Sequence, residues 1–108
     1  ELVLKYGLEH QIDGAILLSP PLHRTTEQEL AAWNGSGVTL VAIIPEFDDY
    51  LRPAEAEKRF ASVPEIHLVP VDGGKHLWVG EVQTRRVLNE IVARVNPAAA
   101  PLPEAYEA

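Results

Sequence analysis

A chain of 108 residues holds one domain at most, and 46% hydrophobic with 23% charged residues marks it as globular rather than disordered. A formal net charge of −7, with nine scattered basic residues, argues against nucleic acid and anionic membrane surfaces, which both call for clustered Lys and Arg. No apolar run approaches the roughly 18–20 residues that span a bilayer, no basic-then-apolar leader opens the chain, and zero cysteines exclude disulfides and thiolate chemistry. A soluble, cytoplasmic protein without a cofactor is the expectation.

The chain opens without Met on Glu1-Leu2-Val3-Leu4-Lys5-Tyr6-Gly7, which reads as the last turns of a helix closed by a C′ glycine. Proteins seldom begin in mid-helix, so the expectation is a fragment, or a stretch whose preceding half has been removed. Ala15-Ile16-Leu17-Leu18 is a short apolar run stopped by Ser19-Pro20-Pro21, a buried strand ending at a loop. Thr26 followed by Glu29 fits a capping box for a helix running to about Trp33, and Asn34-Gly35-Ser36-Gly37 is a turn.

Residues 38–44 form the clearest strand, β-branched and apolar throughout, as strands covered on both faces are. Pro53 suits the first position of a helix over 54–61, where its missing N–H costs nothing. Residues 66–71 are a third strand, and Pro70 within it places it at or near a sheet edge. The last helix runs from about Glu81 to Val95, with Val87 and Ile91, and Leu88, Val92 and Val95, forming an apolar stripe. Residues 1–95 are thus expected to form one unit, and 96–108, rich in Ala, Pro and Glu, a disordered tail. Strands alternating with helices imply right-handed crossovers and an α/β fold with a parallel sheet of about three strands flanked by helices. Ligand chemistry in such sheets lies outside the carboxyl ends of the strands.

Two side chains at that end stand out. Asp48 follows the second strand and His76 the third, and an acid and a base so placed make two-thirds of a Ser-His-Asp machine. The plainer reading of His76 is a surface-loop histidine beside Lys75. Asp49, adjacent to Asp48, points elsewhere and is either a cap for the helix at Pro53 or a solvated neighbour. Ser19 ends a strand, but Pro20 and Pro21 stiffen its loop and no elbow glycines flank it. His10, His23 and His67 show no metal-ligand spacing, and Asp72 with His76 is too generic to suggest a metal. Trp33 and Trp78 are most simply packing residues, although Trp78, and Asp49 with it, could also wall a pocket beside His76. Arg85 and Arg86 read as a solvated helix face.

Three segments resemble the C-terminal half of α/β-hydrolases, most nearly the small, lidless serine-hydrolase branch. They are Asp13-Gly14-Ala15-Ile16-Leu17-Leu18-Ser19-Pro20-Pro21, the stretch from Pro45 to Pro53, and Gly73-Gly74-Lys75-His76-Leu77-Trp78-Val79-Gly80. In that family the acid follows the seventh strand in a G-x-x-D-x-x-x-P setting, and the histidine follows the eighth in a G-x-x-H-aromatic setting. The resemblance covers residues 1–95 and implies strands six to eight of the fold, with Asp48 as acid and His76 as base. Pro45 stands where the family has glycine, Arg52 where it often has proline, and Leu77 where it has an aromatic. The G-x-S-x-G elbow that presents the nucleophile is not in this chain, because Gly35-Ser36-Gly37 has the wrong spacing and precedes a strand.

Two functions follow from these residues. One is an esterase-like serine hydrolase acting on a small-molecule ester, with this chain supplying acid and base and a missing N-terminal half supplying the nucleophile. The other is a non-catalytic α/β domain that pairs with a copy of itself or another partner through the bare edge of its first strand, since a three-stranded sheet of this size has few residues to cover both faces.

Overall fold

Residues 40–45 are apolar and buried at every position, and with Thr39 they form the central strand of a three-stranded parallel sheet flanked by helices. The computed structural model describes residues 1–78 and 80–102. They fall into two compact units that meet between Leu77 and Trp78, the first Glu1–Leu77 and the second made of the described residues from Trp78 on. The boundary lies inside the stretch 1–95 expected as one unit, next to Trp78 and Gly80, whose φ angles are +52° and +102°.

In the first unit, helix α1 (Leu2–Tyr6) leads to strand β1 (Gly14–Leu18), helix α2 (Glu27–Ala31), strand β2 (Thr39–Pro45), helix α3 (Pro53–Arg59) and strand β3 (His67–Val71). The strands lie in the order β1-β2-β3, with Leu17 opposite Ala42 and Ile43 opposite Val69. Pro70 therefore sits on an edge strand, where its missing N–H breaks no ladder between two neighbours. Among the described residues β1 pairs only with β2, which leaves its other edge open.

One face of the sheet carries Ala15, Leu17, Leu40, Ala42 and Ile44, and these pack with Leu4 of α1, Leu30 of α2, Ala56 of α3, and Trp33, Phe60 and Val63 beyond the helices. Burying each large side chain contributes about 1.5–3 kcal/mol. The α2 start carries the expected capping box: Thr26 Oγ1 accepts from the Glu29 N–H, and Glu29 Oε1 accepts from the Thr26 N–H. This helix is shorter than the sequence suggested, ending at Ala31 before a series of turns.

Gly7 departs from its expected role. Its φ of −59° and ψ of −35° are right-handed, so it does not close α1 as a left-handed cap, and a 3₁₀ turn (Gly7–Glu9) follows instead. What requires glycine is space, because a Cβ there would lie 3.0 Å from Trp33 Cη2. The indole is fixed in turn by its Nε1–H, which donates to the Leu4 carbonyl at 3.0 Å.

The second unit contains helix α4 (Glu81–Val95), with the limits the apolar stripe suggested. Arg85 and Arg86 are not simply solvated: Arg86 pairs with Glu90 at 2.9 Å, and Arg85 donates to the Leu102 carbonyl. Pro97–Ala99 form a 3₁₀ turn, and the Leu102 N–H donates to Asn89 Oδ1 at 2.9 Å. The remainder of the expected tail, 103–108, lies outside the described residues.

Candidate functional site

Because the three strands are parallel, the segments that follow them emerge at one end of the sheet. Segment 46–52 follows β2 and segment 72–77 follows β3. They are fastened to each other by backbone bonds from Glu46 N–H to the Val71 carbonyl and from Phe47 N–H to the Gly74 carbonyl, both 2.9 Å. The Gly73 N–H adds a bond to Glu46 Oε2 at 3.3 Å. Gly73 has φ +74°, a left-handed turn conformation that glycine enters without the Cβ clash other residues meet.

This fastening brings Asp48 and His76 together. Asp48 Oδ2 lies 2.8 Å from His76 Nδ1. The second carboxylate oxygen, Oδ1, accepts from the Tyr50 N–H at 2.7 Å and the Leu51 N–H at 2.9 Å. This is an Asx-type turn, in which a short carboxylate side chain caps the backbone two and three residues on. The Asp48 side chain is 1% exposed and that of His76 27% exposed. A buried carboxylate is tolerated where its oxygens are hydrogen-bonded, and here both are.

A carboxylate on Nδ1 favours the neutral tautomer with its proton on that nitrogen, which leaves Nε2 as an acceptor. The arrangement can therefore take a proton at Nε2 while the carboxylate stabilises the resulting imidazolium, as a general base requires.

Asp49 is exposed, as a solvated neighbour of Asp48 would be, and it does not cap α3: Arg52 is the N-cap, with no side-chain cap bond. Trp78, the other residue expected at a pocket, opens the second unit, where its carbonyl accepts from Thr84 Oγ1 at 3.1 Å. Of the chain's three serines, Ser36 and Ser62 precede strands and so lie toward the opposite end of the sheet. Ser19 follows β1, its φ is +47°, and its buried Oγ has no hydrogen-bond partner. Its N–H continues the ladder by donating to the Ile43 carbonyl at 3.0 Å.

Sequence reasoning missed two neighbours. The Tyr50 ring lies 4.8 Å from the His76 ring, edge to face, and 5.2 Å from the His23 ring in the same manner. Only the place of Tyr50 two residues after Asp48 hinted at its backbone bond, and nothing local foretold the ring contacts. Among the described residues no three His, Cys, Asp or Glu side chains gather in a way that could hold a metal ion, and no helix is long and apolar enough to cross a membrane.

Comparison of the chain with protein-family models, with curated proteins and with solved structures gave no match.

Proposed function

We propose that this chain carries the acid and base of an α/β-hydrolase-type serine hydrolase that cleaves a small-molecule ester or related acyl bond. The observation behind the reading is the contact of buried Asp48 with His76 Nδ1 at 2.8 Å, at the carboxyl end of a parallel sheet. The likeness of the segments around Asp48 and His76 to strands seven and eight of that fold supports it independently. The nucleophilic serine and the oxyanion donors come, on this reading, from polypeptide outside the 108 residues.

The chemistry would run in two halves. His76 Nε2 accepts the serine proton as the serine oxygen bonds to the acyl carbon, and then passes that proton to the departing alcohol oxygen. In the second half a water gives its proton to Nε2 while its oxygen bonds to the acyl carbon, and the serine oxygen leaves with that proton. Asp48 stays a carboxylate throughout, orienting the ring and stabilising the imidazolium.

The test is ester turnover by the product of the complete reading frame. His76→Ala should abolish most turnover while circular dichroism stays native-like, and Asp48→Asn should cost more than Asp49→Asn. Full turnover in His76→Ala overturns the reading, and a larger loss in Asp49→Asn reassigns the acid.

The open edge of β1 favours a second reading, in which the chain is a non-catalytic module that pairs through that edge with a copy of itself or with another chain. A purified complete product that is monomeric and active on esters removes it.

A further inference from the structure

We infer that Tyr50, buttressed by His23, is a positioning residue that holds the His76 ring against Asp48; the inference rests on the reading of Asp48 and His76 as an acid–base pair. Tyr50 meets that pair twice. Its N–H donates to Asp48 Oδ1, and its ring packs edge to face against His76 at 4.8 Å between centroids. One hydrogen bond to Nδ1 leaves the imidazole free to swing about that contact, and a ring packed against it removes the freedom. Aromatic pairs at this separation and angle attract beyond their buried area.

Tyr50 is itself 50% exposed, so something else must hold its ring. That is His23, 5.2 Å away on the segment that follows β1. This segment is tied down at several points. Arg59 Nη2 donates to the Leu22 and Thr25 carbonyls at 3.4 and 3.3 Å. Glu1 Oε1 accepts from the Arg24 N–H at 2.9 Å and the Thr25 hydroxyl at 2.7 Å. Two non-glycine residues in it adopt left-handed backbone, Ser19 at φ +47° and Leu22 at φ +58°. Strain of this kind persists where the surroundings over-determine it, commonly beside functional groups. The strapped segment thus presents His23 to Tyr50, and Tyr50 to His76, in a row of three rings.

The test reads the His76 tautomer in the 108-residue chain by long-range nitrogen–proton NMR under mildly alkaline conditions, and needs no nucleophile. The wild type should show a single Nδ1–H tautomer. Tyr50→Phe should keep it, because the ring remains. Tyr50→Leu should convert it to a mixture with the Nε2–H form, and His23→Ala, which leaves the backbone at residue 50 untouched, to a smaller admixture. An unchanged signal in Tyr50→Leu, or an equal loss in Tyr50→Phe, overturns the role of Tyr50; an unchanged signal in His23→Ala overturns that of His23. Asp48→Asn separates this inference from the reading it rests on: if that variant leaves the His76 signal as in wild type, the acid–base pair itself fails, whatever Tyr50 does.

Discussion

Asp48 Oδ2 and His76 Nδ1 approach to 2.8 Å across 28 residues of sequence, with the carboxylate buried and the imidazole partly open to solvent. The pair depends on parallel strands that deliver both segments to one end of the sheet, and on backbone bonds that fasten those segments together.

Asp48→Ala strands the N–H groups of Tyr50 and Leu51 and the Nδ1–H of His76. Leaving a buried donor unsatisfied costs about 1–3 kcal/mol, so the urea midpoint should fall accordingly. Asp49→Ala, at an exposed position, should stay within about 0.5 kcal/mol of wild type. Equal losses in the two variants contradict the geometry of the segment.

Gly7→Ala sets two effects against each other. The right-handed backbone suits alanine, which gains roughly 0.5–1 kcal/mol over glycine in a helix. The new Cβ would meet Trp33 Cη2 at 3.0 Å and Cζ2 at 3.1 Å, and that indole is buried and hydrogen-bonded to the Leu4 carbonyl. Overpacking costs typically about 1–3 kcal/mol, so the variant should be less stable in thermal unfolding; a raised melting temperature would show that Trp33 yields easily.

Ser19→Ala removes a buried hydroxyl with no hydrogen-bond partner, and because such a group costs about 1–3 kcal/mol, the variant should be at least as stable as wild type. Ester turnover by the complete product should be unaffected. Loss of turnover with the fold intact would make Ser19 a participant in the chemistry.

The Thr26 N–H, and with it the Lys5 ammonium, holds the Glu29 carboxyl below its ordinary value of 4.5. A carboxylate with a lowered folded-state value binds fewer protons folded than unfolded, so stability rises with pH across the interval between the two values. The contribution is complete above 4.5 and is lost as pH falls from there through the folded-state value. Denaturation midpoints of Glu29→Gln should accordingly show a shallower acid slope than wild type. Parallel curves would remove this linkage.

The sheet could be read from the sequence because its central strand is apolar from Leu40 onward, and α4 because its stripe repeats at helical spacing. The capping box at Thr26 was equally local. Asp48 and His76 stood out because each follows a strand in a segment that resembles a known family. The row His23–Tyr50–His76 was hidden, since it joins three segments that follow three different strands and leaves no trace in spacing. Gly7 looked like a left-handed cap when the constraint is the volume of Trp33, a partner far along the chain. The left-handed backbones of Ser19 and Leu22 have no glycine or asparagine to announce them.

The most direct measurement is labelling of the complete reading-frame product with a fluorophosphonate probe, followed by mass-spectrometric location of the adduct in wild type and in His76→Ala. The account predicts one adduct on a serine outside residues 1–108, lost in His76→Ala while the circular dichroism spectrum persists. No adduct, an adduct on Ser19, or undiminished labelling without His76 would contradict it.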